Sequence, residues 1–260
     1  MWPPPPEGTW VVDLDGVVWL TGQPIPGVDE AVARLRGAGV RVLFATNNSA
    51  PTQAELHRRL AHCGITAPAA DVLSSADVAA GMLAPGTSAL ALADDGVVEA
   101  LSRRGVTVVP EGPADAVVIG WTRSFTFEAV ARAAATVRAG ARLIGTNEDP
   151  THPTPAGLLP GAGALLAAVA TAAETTPEVA GKPHRPTADA IKGLVAAGEL
   201  RTMVGDRPAT DGDLAARLGI PFALVLSGVT GPGEVSDDVD PAVVAPDLLR
   251  LVRDTLEAVG

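Results

Sequence analysis

Along this chain, apolar runs repeatedly stop dead in polar residues. In WVVDLDG (10–16), Trp10, Val11 and Val12 lead straight into Asp13, an apolar spacer, Asp15 and Gly16. This reads as a buried strand ending in a charged loop. A loop carrying prolines and glycine over 23–27 comes next, and then Val28, Ala31, Val32 and Leu35 fall at helical spacing, with Gly39 as the stop. VRVLFATNN (40–48) is a second buried strand, halting in Thr46, Asn47, Asn48 and Ser49. A helix is expected from Pro51, with Ser49 as its cap.

Strand, helix, strand, helix with short connections predicts a parallel sheet flanked by helices. The alternation continues from about Asp77 to Glu174, with strands in TSALALAD, VTVVPE, ADAVVIGWT and ARLIGTN and helices in VVEALSRRG and FTFEAVARAAATVRAG. That length suffices for a small α/β domain of its own. THPTPAGLLPGAG (151–163) reads as an irregular connection or a loop facing substrate. PEVAGKP and RTMVGD are further apolar approaches ending at Lys182 and Asp206. FALVLSG adds a strand and PDLLRLVRDTLEAV a closing amphipathic helix.

Composition narrows the class. In 260 residues, 47% apolar, the 28 glycines and 23 prolines follow no period, which excludes collagen-like and low-complexity chains. The net charge of −11 comes without a basic stripe, so nucleic acid is not an expected partner. An acidic protein acting on an anion must supply positive charge locally, by metal, lysine or backbone amides. The single cysteine, Cys63, suits a reducing compartment. MWPPPPEG lacks the regions of a signal peptide and reads as a stiff leader. GALLAAVATAA, the densest apolar stretch, is about half the length a bilayer needs. A cytoplasmic protein without membrane contact is expected.

The chemistry gathers where the runs stop. Residues two apart on a strand project to one side until the chain turns, so Asp13 and Asp15 start out aimed at one spot. Two carboxylates so close repel, and either a proton or a hard cation such as magnesium relieves them. The hydroxyl of Thr46 and the amides after it could cradle a phosphate. Lys182, between Gly181 and Pro183, is placed to reach an anion. Asp206 ends a strand, and Asp211 follows near a helix start, where Thr210 and Asp213 have capping-box spacing. His57, His62, His152 and His184 show no metal spacing. Trp19 could line an entrance, and Trp121 either packs or stacks on substrate.

Taken in order, DLDGV, TNNS, GKP and GDRPATD resemble the four motifs of the haloacid dehalogenase (HAD) superfamily, over essentially the whole chain. The insertion between the second and third motifs, with GTNEDP and GLLPGAG ahead of GKP, resembles the NagD-like branch. The resemblance implies a Rossmann-like doubly wound α/β core over 1–77 and 175–260, with a smaller α/β cap domain inserted at 78–174. It implies a magnesium-dependent phosphatase acting on a small phosphomonoester of the phosphoglycolate, glycerol phosphate, pyridoxal phosphate, nucleotide or sugar phosphate type. Asp13 would be the nucleophile and Asp15 the general acid and base. Magnesium would sit between Asp13, the backbone carbonyl of Asp15 and Asp206, with Asp211 behind. Thr46, the amide of Asn47 and Lys182 would hold the phosphate, and Asn147, Asp149 and His152 would belong to the cap's specificity loop. Similar proteins commonly dimerise through the cap. A phosphotransferase or mutase on the same core, and a receiver module that accepts phosphate without steady hydrolysis, are the alternatives.

Overall fold

The computed structural model describes residues 2, 7–154, 156–231, 233 and 240–258. Of the leader expected at the N-terminus, residues 1 and 3–6 lie outside the described residues; the ring of Trp2 meets Trp10 edge-on at 6.1 Å, and Gly8 already opens the first strand. The chain forms two compact units, one of Met1–Thr46, Leu56–Leu73 and Ala188–Gly260, the other of Asn47–Glu55 and Ser74–Thr187. Both are built on parallel sheets flanked by helices, an α/β fold.

In the first unit six strands stand side by side in the order Val243–Ala245, Phe222–Val225, Leu200–Gly205, Gly8–Val12, Val40–Thr46, Val72–Ser74. Gly8–Val12 is central and pairs in parallel on both sides, Val11 lying against Leu43 and Met203. Neighbouring residues of a strand face opposite ways, and here both ways lead into a core. Trp10 and Val12 join Val42 and Phe44 against the helices Val28–Gly37 and Leu248–Glu257. Val11 joins Leu43, Met203 and Leu224 against Ala188, Ile191, Leu214 and Leu218. Hence these strands are nearly unbroken apolar runs rather than alternating ones. Each fully buried aliphatic side chain contributes on the order of 2 kcal/mol. The buried positions of the helix Val28–Gly37 are Val28, Ala31, Val32 and Leu35, as its spacing predicts.

In the second unit the order is Glu178–Val179, Arg142–Gly145, Ala116–Ile119, Ser88–Leu92, Thr107–Val109, with every ladder parallel. Helices Phe127–Arg138 and Ala162–Ala173 close its core around Val117, Ile119, Leu143 and Leu166. A capping box between Ser74 and Asp77 starts the helix Ser75–Gly81, an element the apolar pattern does not announce.

Four expectations about local structure change. The stretch from 151 is a β-hairpin, Thr151–Thr154 pairing antiparallel with Gly157–Pro160, while Pro155 lies outside the described residues. In a two-stranded sheet both strands are edges, so Pro153 and Pro160 are tolerated. The loop expected at 23–27 starts with a short pairing of Gln23–Pro24 with Trp19–Leu20. Thr52, not Ser49, caps the helix Gln53–His62, accepting from the amide of Glu55 at 3.2 Å. Thr210 caps nothing: a π-helical turn, Pro208–Gly212, runs directly into the helix Asp213–Leu218. Among the described residues no helix is long and apolar enough to cross a membrane.

Candidate active site

Numbered along the chain, the six strands of the first unit stand in the order 3-2-1-4-5-6, and the order reverses between Gly8–Val12 and Leu200–Gly205. Ligands of open α/β sheets bind outside the carboxyl ends of the strands at such a reversal. Asp13 leaves the first of these strands, its amide still donating to Val204 O at 2.9 Å, and Asp206 leaves the second. The π-helical turn that follows brings Asp211 back. Carboxylate oxygens of Asp13, Asp206 and Asp211 lie within 4.8 Å of one another, and all three residues are buried.

The backbone around them is built for this crowding. Asp206 accepts from the amide of Val229 at 2.6 Å, and Asp211 from the amide of Arg207 at 3.1 Å. Gly16 has φ +87°, and a Cβ on it would stand 2.3 Å from Asp206 Oδ2. Glycine there permits both the turn and the approach. Three buried carboxylates this close repel strongly unless a proton or a cation joins them. A compact set of hard oxygen donors suits magnesium or calcium rather than a softer metal, so the residues present fit the magnesium that the sequence implies.

Asp15 takes a different course. The amides of Val17, Val18 and Trp19 all converge on Leu14 O, at 3.3, 2.8 and 3.1 Å, which turns the chain right after Leu14. The alternation of the strand therefore does not carry through to Asp15, which is exposed and stands outside the group of three carboxylates. Its own carboxylate is held from two sides. The buried Trp19 donates from Nε1 to Oδ1 at 3.0 Å, and Thr46 donates from Oγ1 to Oδ2 at 3.3 Å. Nothing in the spacing of the sequence announces Trp19 as a partner of Asp15.

The remaining predicted residues lie in the second unit. Lys182 is buried, and its peptide bond to Pro183 is cis. Asn47 accepts from Lys182 N at 2.7 Å and donates to Lys182 O at 3.1 Å. Its backbone carbonyl accepts from Ser75 Oγ at 2.6 Å and from Asn147 Nδ2 at 2.7 Å. Asn147 Oδ1 accepts from the amide of Asp149 at 3.1 Å, and Asp149 faces Asn47 Nδ2 at 3.3 and 3.4 Å. Ser49, fully buried, meets Thr146 Oγ1 at 3.0 Å and the amide of Trp121 at 3.3 Å. His152, on the hairpin, stacks on Trp121 with ring centres 4.6 Å apart, and Trp121 Nε1 donates to Pro160 O at 3.0 Å. His184 pairs with Glu148 at 2.8 Å.

Burial pushes the Cys63 thiol up. The guanidinium of Arg142 holds Glu178 below the usual carboxylate range, and the amide and hydroxyl of Ser88 do the same for Asp115.

A sheet of this order with three buried acids at its reversal defines an α/β protein shaped to hold a hard cation where an anion can reach it. Relatives say which. A model described as haloacid dehalogenase-like hydrolase matches residues 10–107, and one described as HAD-hydrolase-like matches 179–251. The chain is 36% identical, over 94% of its length and 71% of the relative's, to D-glycerol 3-phosphate phosphatase of Mycobacterium tuberculosis. Its fold matches the p-nitrophenyl phosphatase of Archaeoglobus fulgidus with a TM-score of 0.90 at 26% identity, covering 96% of this chain and all of that one. It also matches a glycerol phosphate phosphatase from Mycobacterium tuberculosis, solved in complex with magnesium, with a TM-score of 0.83 at 34% identity, covering 94% and 76% of the two chains. The chain belongs to the haloacid dehalogenase-like hydrolase family, in its NagD-like branch.

Proposed function

We propose that this protein hydrolyses a small phosphomonoester, of which glycerol phosphate is the first to test, through an aspartyl phosphate, the acyl phosphate of Asp13. The observation that carries the reading is the convergence of Asp13, Asp206 and Asp211 within 4.8 Å at the reversal of strand order. Magnesium held by Asp13, the backbone carbonyl of Asp15 and Asp206, with Asp211 behind, would neutralise the charges of carboxylates and phosphate that otherwise repel.

An oxygen of Asp13 attacks phosphorus, and the bond from phosphorus to the substrate oxygen breaks. Asp15 gives its proton to the departing alcohol. It then takes a proton from water as that water attacks phosphorus and the bond from phosphorus to the Asp13 oxygen breaks, releasing phosphate, freeing the Asp13 carboxylate and returning Asp15 to its protonated form. The exposure of Asp15, and the donors Trp19 and Thr46 that aim it, support this exchange with leaving group and water. Thr46, the amide of Asn47 and Lys182 hold the transferring oxygens, where electrostatic stabilisation is usually the largest contribution.

Residues 78–174 act as the cap, and Asn147, Asp149 and His152 line its specificity loop. The stack of His152 on Trp121 supports a role for the hairpin in substrate choice. A cytoplasmic setting suits a chain whose one cysteine is reduced and buried. A homodimer through the cap is the assembly to look for by size-exclusion chromatography.

Incubation with magnesium and 4-nitrophenyl phosphate tests the reading. Steady release of phosphate is expected, with a loss of at least about 10⁴-fold in kcat for Asp13→Asn and retention of the fold. A single turnover would make the protein a receiver, and transfer to an added alcohol or sugar in place of water would make it a transferase.

A further inference from the structure

We infer that the side-chain amide of Asn47 is a positioning device for Lys182, clamping that residue's backbone so that its ammonium is delivered to one place. The inference rests on the reading of Lys182 as a phosphate-holding residue.

The clamp has two jaws on a single residue. Asn47 Oδ1 accepts from Lys182 N at 2.7 Å, and Asn47 Nδ2 donates to Lys182 O at 3.1 Å. An amide N–H only donates and a carbonyl only accepts, so neither partner can reverse its role, and the orientation of the asparagine is settled by its neighbours. Both peptide groups flanking the Cα of Lys182 are thereby fixed, as they would be by a strand partner, and with them the direction in which the side chain leaves.

The room for the clamp is built in. A Cβ on Gly181 would stand 2.6 Å from Asn47 Oδ1, 2.6 Å from Thr146 O and 3.0 Å from Asn147 Cβ. Only glycine lets Asn47 come this near. Asn47 is braced in turn, its carbonyl receiving Asn147 Nδ2 and Ser75 Oγ, and its amide nitrogen facing Asp149. Aspartate would fit the same space but lacks the donor, and it would bring an anion against Lys182 O and the carboxylate of Asp149.

A buried lysine with a long flexible stem has much rotamer freedom to lose before it can hold a transferring oxygen. Fixing its backbone beforehand removes part of that cost from the chemical step, where small misplacements are expensive. Asn47 then acts on turnover through Lys182 and not independently of it.

A double-mutant cycle on kcat, with magnesium and 4-nitrophenyl phosphate, tests this. Lys182→Ala is expected to lose about 100-fold. Asn47→Ala should lose about tenfold and Asn47→Asp more, yet Asn47→Ala added to Lys182→Ala should cost less than about twofold. Asn147→Ala, a milder change to the brace, runs through the same cycle and carries the test if Asn47→Ala does not fold. A loss from Asn47→Ala that is the same with and without Lys182 overturns the clamp, as does an Asn47→Ala enzyme with wild-type kcat. A Lys182→Ala enzyme with wild-type kcat removes Lys182 from the phosphate site, and the clamp's purpose goes with it.

Discussion

The two units both collect polar side chains just past strand ends, but of opposite kinds. At the reversal in the first unit the groups are carboxylates, Asp13, Asp206 and Asp211, buried and within 4.8 Å of one another. In the second unit they are amides and hydroxyls, Asn47, Asn147, Ser49, Thr146 and Ser75, each matched to a partner at 2.6 to 3.3 Å. The first arrangement stores repulsion that a cation relieves; the second is satisfied within itself.

The sharpest way to break that contrast is Asp206→Asn. It keeps an acceptor for the amide of Val229 and removes one charge of three. Turnover should fall by on the order of 10³-fold or more. In chelator the variant should melt higher than the wild type, because a buried repulsion is gone. Magnesium at about 100 times its Kd stabilises a protein that holds it by about 2.7 kcal/mol, and a thermal-shift series should show this for the wild type and not for the variant. A variant that melts lower without metal would mean that the three carboxylates are not crowded in solution.

Trp19→Phe probes the edge of the same unit. It keeps the buried ring and removes only the N–H that reaches Asp15 Oδ1 at 3.0 Å. One lost hydrogen bond to a charged group is worth about 1.5–3 kcal/mol at most, so kcat should fall by roughly 10- to 100-fold while the melting temperature moves little. Equal loss in kcat and melting temperature would make Trp19 a packing residue only.

The smallest effect expected lies in the second unit, at the ion pair of Arg142 with Glu178, 2.8 Å apart and exposed at both ends. Arg142 lowers the pKa of Glu178 from 4.5, so the folded protein binds that proton less readily than the unfolded chain. The pair's contribution is complete above about pH 4.5 and is lost as the pH falls through the lowered value. Solvent screening keeps it to about 0.5 kcal/mol or less. Urea titrations of the wild type and Glu178→Gln at pH 6 and pH 3.5 should differ at the first pH and differ by less at the second.

How much was legible follows from how each element is made. The helix Val28–Gly37 and the central strands rest on burial, which writes its period into the sequence, and the apolar runs there mark them out. The hairpin from Thr151 to Pro160 has no fully buried residue among those described, so no apolar alternation marked it. Ser49 looked like a helix cap because a serine two residues before a proline often is one; its burial against Thr146 and Trp121 depends on residues about seventy to a hundred positions away. Asp13 and Asp206 stood out because an ionised group directly after an apolar run has no structural excuse, and Asp211 because GDRPATD resembles a family motif. The matched amides around Asn47 did not, because asparagine and serine serve ordinary turns equally well.

By itself the sequence determined the α/β alternation, the places where apolar runs stop, and the kinds of group that stand there, since these follow from local period and residue chemistry. Tertiary structure decided which of those groups meet. The turn after Leu14 parts Asp15 from Asp13, the reversal of strand order brings Asp206 to Asp13 across nearly two hundred residues, and a glycine at 181 lets Asn47 close on Lys182. Distances between strand ends and the close approach of one backbone to another depend on packing across the whole chain, and no local window contains them.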